Sequence, residues 1–407
     1  MKKPKSGKPS PLLNDVLSTQ FYPSMLTEIK PHIRRVLLMY ITKVSGHRQA
    51  TLAIQKSLRA LDPTVEVPSV NGFGYTYPRL EKVVNRAYMG IIKRTPKVWD
   101  YLYDNPNVFK KSEPLKKFLH KTSHKKMAKL LERFQPDTVV CTQAFPCGMV
   151  GDYKLAHHLN LRLIGVLTDF APHSYWLNEG VDYYVVPAPE VKERFIAKGV
   201  PPEKIKVYGI PIRNRFANQL DKKLIAQKLG LSLDIPTILI MGGGQGLGPI
   251  QEAVESLLHI TRDIQIIVIA GTNKKLLQWL YDMASQATKK ILIYEYTKNV
   301  DELMEVSTLI ITKPGGMTTS ECLAKGLPMV IANPIPGQEM YNTDFLLNRG
   351  IAIRVYQTSD IGQEVEVLLR SPERLAAMRQ AAYENGKPYA SLNIAKLILQ
   401  YPEIDTP

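Results

Sequence analysis

The chain has 407 residues, 44% hydrophobic and 22% charged, a globular composition too long for one ordinary core, so two domains of about 200 residues are expected. Fifty-three Lys+Arg against 37 Asp+Glu give a net +16, which favours an anionic partner: nucleic acid, an anionic membrane face or phosphorylated substrates. No apolar run approaches the about 20 residues that span a bilayer, no apolar signal core opens the chain, and three cysteines (Cys141, Cys147, Cys322) argue against a disulfide framework. Residues 1–30 read as a flexible basic leader, and a reducing cytoplasmic setting is expected.

In chain order, Arg34 and Arg35 introduce VLLMYI (36–41), an apolar run of the kind buried on both faces in a parallel sheet. A loop follows with Ser45, Gly46 and His47 at its crest, then a helix from about residue 49, ended by Pro63. Residues 71–129 break this rhythm. Gly72, Gly74, Tyr75 and Tyr77 read as a flexible aromatic loop, residues 83–92 carry an apolar stripe, and Trp99 precedes a basic helix containing Lys116, Lys117, Lys125 and Lys126. Apolar and aromatic residues beside dense lysine suit a helix pair dipping into an anionic interface. The plainer alternative is a core stripe beside a solvated lysine face. The rhythm resumes with strand 138–141, helix 149–158, strand 162–167, the loop TDFAPHSYW (168–176, with Asp169 and His173), strand 183–186, helix 190–198 and strand 205–207.

GIPIRNRF (209–216) reads as a hinge carrying Arg213. Beyond it come strand 237–241, the loop GGGQGLGP (242–249), strand 264–270, helix 274–286, strand 291–294 and helix 300–306. Next stands a βαβ unit: strand 309–312, a turn at Gly315-Gly316, a helix opening at Thr318, strand 329–332 and a Pro-Gly loop carrying Gln338 and Glu339. Helix 340–349, strand 352–355, helices 360–370 and 372–382, and a last helix 391–400 that folds back on the first half complete the pattern. The expected architecture is α/β: a leader (1–30), two Rossmann-like domains (31–215 and 216–384) facing across a cleft, and a returning C-terminal segment (385–407).

The glycine turns carry the chemistry. GGGQGLGP follows a strand and precedes a helix, yet satisfies neither G-x-G-x-x-G nor the Gly-Lys-Ser/Thr phosphate loop. With the second turn at Gly315-Gly316, it offers two helix starts to one diphosphate, through Gly243, Gly244, Gln245, Gly246, Gly315, Gly316 and Met317, with the Thr318 hydroxyl turned to the sugar of a nucleotide. Glu321 and the hydroxyls beside it are placed for the sugar of a nucleotide. Arg213 adds a bidentate guanidinium or, alternatively, an interdomain salt bridge. No two aspartates stand two residues apart, so no metal is expected in the site, and helix ends with Arg213 stabilise the leaving diphosphate. His47 is the preferred base, with Asp169 and His173 as rivals or orienting partners. The cleft motifs argue against nucleic acid.

SGHR (45–48), LTDFAPHSYW (167–176), VYGIPIR (207–213), MGGGQGLGP (241–249), TKPGGMTTSECLAKGLP (312–328) and NPIPGQE (333–339), in this order, resemble the monogalactosyl- and processive monoglucosyl-diacylglycerol synthases. These are inverting glycosyltransferases related to the peptidoglycan GlcNAc transferase. The resemblance implies a GT-B fold, UDP-glucose or UDP-galactose as donor, diacylglycerol as acceptor, and a peripheral place on the inner face of the cell membrane. It puts His47 at the family's catalytic histidine, Arg213, Gly244, Gln245, Thr318 and Glu321 at donor positions, and Gln338 and Glu339 against the transferred sugar. One departure stands out: the family usually has Gly-x-Gly-His or Gly-Gly-His where this chain has Val44-Ser45-Gly46-His47. A polyprenyl-linked acceptor and a non-catalytic UDP-sugar sensor are the alternatives.

Overall fold

The computed structural model describes residues 34–42, 45–78, 122–170, 174–335 and 337–400. Trp99, Lys116, Lys117, His173 and the apolar stripe 83–92 lie outside them. The described strands form two six-stranded sheets in which every pair is parallel. The first contains β1 (Val36–Tyr40), β2 (Ser69–Asn71), β3 (Thr138–Cys141), β4 (Arg162–Val166), β5 (Tyr183–Val185) and β6 (Ile205–Lys206), ordered β2-β1-β3-β4-β5-β6. The second contains β7 (Thr237–Met241), β8 (Gln265–Ile269), β9 (Lys290–Tyr294), β10 (Leu309–Thr312), β11 (Met329–Ala332) and β12 (Ala352–Val355), ordered β12-β11-β10-β7-β8-β9. Strand order reverses between β1 and β3 in one sheet and between β7 and β10 in the other. Ligands of open α/β sheets sit at such points.

The strands read as apolar runs because both sheet faces are covered: β1, β7 and β8 are buried at all five positions. The last helix, Ala390–Leu399, belongs to the first half. Its Ile394, Ala395, Ile398 and Leu399 join Val36, Leu38, Ile54, Leu58 and Ile164 in one core. Each fully buried large side chain contributes roughly 1.5–3 kcal/mol. Three of them rival the net stability of a domain, about 5–15 kcal/mol. The two crossings between halves pass against each other: Gly209 has φ +93°, and a Cβ there would collide with Lys387. Ser391 Oγ lies 2.6 Å from the Ile212 carbonyl and 2.8 Å from Asn214 Oδ1, which also accepts from Ser57 Oγ at 3.1 Å.

The structure corrects several expectations, and four corrections share one cause. Helices begin at Gly46 rather than 49, Ala144 rather than 149, Gly316 rather than 318, and Gln338 rather than 340. Glycine and proline near these starts (Gly46, Pro146, Gly316, Gly337) look like breakers, but the first turn needs no intrahelical N–H partner and tolerates them. His47, Gln338 and Glu339 therefore stand in first turns of helices rather than in loops. The aromatic segment after β2 is a short helix, Gly72–Thr76, capped by Asn71, not a flexible loop. A Cβ at Gly72 would lie 2.8 Å from Met39 Cε, which is why glycine starts it.

Candidate active site

Three neighbouring strand ends of the first sheet, those of β1, β3 and β4, converge on His47. Ser45 caps its helix, the side chain accepting from Arg48 N at 3.3 Å, so the departure at Ser45 supplies a helix cap. His47 Nδ1 lies 2.9 Å from the Thr142 carbonyl and 2.9 Å from Thr168 Oγ1. A carbonyl only accepts, so Nδ1 carries the hydrogen and Nε2 presents its lone pair. Nε2 has no hydrogen-bond partner among the described residues. Burial pushes the imidazole down to about 4, against a smaller upward pull from the Thr142 carbonyl. His47 is neutral near pH 7, the form a base needs.

The second half answers with two glycine turns side by side. Met241 of β7 pairs with Thr312 of β10, so Gly242 and Lys313 leave the sheet as neighbours. Met241, Gly248, Ile250, Thr312 and Lys313 line one small depression there. The first turn curls through Leu247 N donating to the Gly242 carbonyl at 3.0 Å and Thr272 N to Gly244 at 3.1 Å. Gly246 is obligatory: φ is +58° and a Cβ would strike the Ala270 carbonyl. Gly243 is partly exposed, and Gly244 and Gln245 are exposed. The second turn starts the helix Gly316–Ala324, whose cap, Gly315, offers no side chain and has open space around it. Its first amides are unsatisfied, as an anion site requires.

The two halves meet at this point. A Cβ on Gly46 would lie 3.1 Å from Met317 Cγ, and one on Gly316 would collide with the Thr168 carbonyl. The N-termini of Gly46–Leu61 and Gly316–Ala324 thus confront each other, both with the positive ends of their dipoles. Arg213 reaches the helix Gly46–Leu61, Nη2 donating to Gln49 Oε1 at 3.3 Å. It forms no ion pair among the described residues, so the salt-bridge alternative is not what the structure shows. Half-buried Glu321 faces Arg213 and Arg215. Desolvation lifts its carboxyl to about 7 although both arginines pull it down and Asp301 adds to the rise. Thr318 is nine-tenths buried in the first turn.

Other expected residues are placed differently. Glu339 is 3% exposed, with one oxygen paired to Lys313 and the other accepting from Ile335 N at 2.9 Å. It therefore holds Lys313 instead of offering a free carboxylate; half-buried Gln338 is the open polar group of that turn. Asp169 Oδ1 accepts from Asn342 Nδ2 at 3.4 Å. Burial raises the Asp169 carboxyl to about 7; Asn342 and Lys313 oppose the rise, and Glu339 reinforces it. Tyr75 and Tyr77 pack against the first core, Tyr77 donating to or accepting from Thr122 Oγ1 at 2.6 Å. Lys126 bonds the Thr76 carbonyl and sits over the Tyr77 ring, while Lys125 is exposed on the helix 122–134.

Sequence reasoning missed four residues. Thr142 sets the His47 tautomer and Thr168 bonds the same nitrogen, Lys313 is the half-buried cation beside the second glycine turn, and Asn342 joins the two halves. A fifth, Tyr296, is half exposed, and a Cβ on Gly244 would lie 3.6 Å from its ring. Its signal was available: an aromatic two residues beyond β9, at the same edge as the glycine loop. Among the described residues no helix is long and apolar enough to cross a membrane.

Comparison with known proteins places the chain in a family. The family profile "Monogalactosyldiacylglycerol (MGDG) synthase" matches residues 47–212, and "Glycosyltransferase family 28 C-terminal domain" matches 237–394. The processive diacylglycerol beta-glucosyltransferase of Bacillus pumilus is 33% identical over 287 residues, 70% of this chain and 74% of the relative. That of Bacillus mycoides is 28% identical over 367 residues, covering 90% and 93%. In fold, MurG of Acinetobacter baumannii superposes with a TM-score of 0.61 at 16% identity, covering 90% of this chain and 99% of MurG. With both Rossmann-like halves accounted for, the chain belongs to the diacylglycerol glycosyltransferase family of GT-B fold.

Proposed function

We propose that this protein transfers glucose from UDP-glucose to the free hydroxyl of diacylglycerol, with inversion, giving a β-glycosyl diacylglycerol. The observation that carries the reading is His47, its Nδ1 turned to the Thr142 carbonyl so that Nε2 is left as acceptor, in a helix start that meets the uncapped start of Gly316–Ala324. His47 takes the acceptor hydroxyl's proton as the anomeric carbon gains oxocarbenium character. The departing UDP is held by the amides of the two glycine turns and by Arg213, with no metal step invoked. Tyr296 offers a face to the base, Glu321 a hydrogen-bond partner to the ribose, and Gln338 a contact to the transferred sugar. Asp169, whose carboxyl half-ionises near neutrality, is the weaker candidate for base.

Glucose is preferred over galactose because relatives named beta-glucosyltransferase match both halves at once, whereas the galactolipid profile matches only the first. Nothing in the cleft favours a polyprenyl acceptor, and a sensor would not need a base held in one tautomer. The net charge of +16 and exposed Lys125 and Lys129 suit docking on an anionic lipid face, from which the acceptor is drawn. The test is incorporation of labelled hexose into lipid. Purified protein with diacylglycerol micelles should yield glucosyl-diacylglycerol from UDP-glucose. Exclusive use of UDP-galactose would overturn the donor assignment, and labelled polyprenyl product the acceptor.

A further inference from the structure

Three consecutive residues just beyond β4, Thr168 to Phe170, are held from two sides, by His47 and by Asn342. Thr168 Oγ1 lies 2.9 Å from His47 Nδ1, and the Thr168 carbonyl occupies the space a Cβ on Gly316 would need. Asp169 and Phe170 both reach Asn342, which is fully buried on the helix Gln338–Asn348 of the other half. Phe170 N donates to Asn342 Oδ1 at 2.9 Å, and Asn342 Nδ2 approaches Asp169 Oδ1 at 3.4 Å. The same Nδ2 donates to the Pro314 carbonyl at 2.9 Å, one residue before the Gly315-Gly316 turn. The Phe170 and Phe345 rings stack beside this amide, centroids 4.1 Å apart. One side chain thus bonds the donor turn and the segment that touches the base.

We propose that Asn342 is a positioning residue for the transfer: it clamps the Thr168–Phe170 segment to the Pro314–Gly316 turn, and Thr168 passes that register to the His47 imidazole. The proposal rests on His47 being the base. Its physical ground is that a displacement of about 1 Å between base and donor costs on the order of 10²-fold in rate. A buried amide with every group engaged is also unable to drift without leaving a polar atom unpaired. The groups bonded to His47 itself are neutral: Thr51, Thr142 and Thr168. The charged groups on the elements packed there are Arg48, Asp169, Arg213, Lys313 and Glu321.

The test compares Asn342→Ala, Thr168→Val, their double variant and Thr168→Ser with the wild-type chain, using UDP-glucose and diacylglycerol micelles. Each of the first two should lower kcat about tenfold or more, leave KM for UDP-glucose and Kd for UDP within about threefold, and move the acid limb of kcat/KM upward in pH as water reaches the imidazole. The double variant should be no worse than the poorer single one, because both act along one path. Thr168→Ser, which keeps the hydroxyl, should restore the rate. Additive losses, an unmoved acid limb, or a raised KM with intact kcat would overturn the positioning role. If Asn342→Ala does not fold, the isosteric Asn342→Asp, which lacks the Nδ2 donor, replaces it, and full activity in that variant overturns the proposal. An inactive wild type ends the functional reading and this one together, whereas an active wild type with any of the contrary outcomes ends only this one.

Discussion

The two halves solve opposite electrostatic problems with the same architecture. The first surrounds its histidine with hydroxyls and a carbonyl: His47 touches Thr142 and Thr168 and has no ion pair among the described residues. The second crowds ions around its turns, with Lys313 against Glu339, Arg215 against Asp301 at 3.2 Å, and Arg213 and Glu321 beside them. A neutral lining keeps the imidazole unprotonated and ready to accept, whereas a charged lining with uncapped helix amides suits a diphosphate that arrives and leaves as an anion. Folding both halves alike while lining them differently puts a neutral imidazole and a charged, glycine-lined turn at one meeting point.

Replacing His47 by alanine should have the largest effect. Loss of a general base lowers kcat by about 10²–10⁴-fold, and calorimetric UDP binding should survive, since the second half is untouched. Lost UDP affinity would instead put the imidazole in the donor site. Next comes a pair of glycines that look equivalent in sequence. Gly316→Ala must push against the Thr168 backbone, an overpacking cost of about 1–3 kcal/mol, and should reduce both thermal stability and transfer. Gly315→Ala meets open space, so its melting temperature should stay unchanged while the methyl obstructs the anion and weakens UDP binding. Equal destabilisation of the two would break the distinction.

Arg213→Ala should weaken UDP binding by about 10–100-fold, the worth of charge-assisted hydrogen bonds at roughly 1.5–3 kcal/mol. An unchanged Kd would leave Arg213 as a strut to Gln49. The smallest effect is on stability against pH, and its sign differs between halves. His47 is held at about 4 against a free value of 6.5, so its contribution is present above pH 6.5 and is lost as pH falls toward 4. Glu321 is lifted to about 7 from 4.5, so its contribution is present below pH 4.5 and is lost as pH rises through 7. Glu321→Gln should therefore remove a loss of stability as pH rises from 4.5 to 7, and His47→Gln a loss as pH falls from 6.5 to 4, so the two variants should tilt the pH profile of the melting temperature in opposite directions, each by a few degrees. Solvent screening at these half-buried sites keeps both modest.

Much of the fold is legible in the chain. The strands 309–312 and 329–332 are read at their observed bounds, because short apolar runs with proline or glycine close by leave little choice; strand 352–355 and helix 300–306 are read at theirs as well. The short strand β2 was not legible: SVN has no apolar run, and it pairs only because Pro68 and Ser69 lie along an already formed β1, with Leu38 N donating to the Pro68 carbonyl. In the site, His47, Arg213 and the glycine turns stand out by type and spacing. Asn342 and Thr168 do not, since a lone amide or hydroxyl carries no periodic signal.

By itself, the sequence determined two doubly wound halves and glycine turns at the strand ends, because burial on both faces and the needs of tight turns act on neighbouring residues. Tertiary structure alone decided that the Thr142 carbonyl takes the His47 Nδ1 hydrogen, that Glu339 serves Lys313, and that Asn342 bridges the halves. Each of those depends on a carbonyl, amine or amide more than twenty residues distant along the chain, and such partners exist only once the sheets have closed on one another.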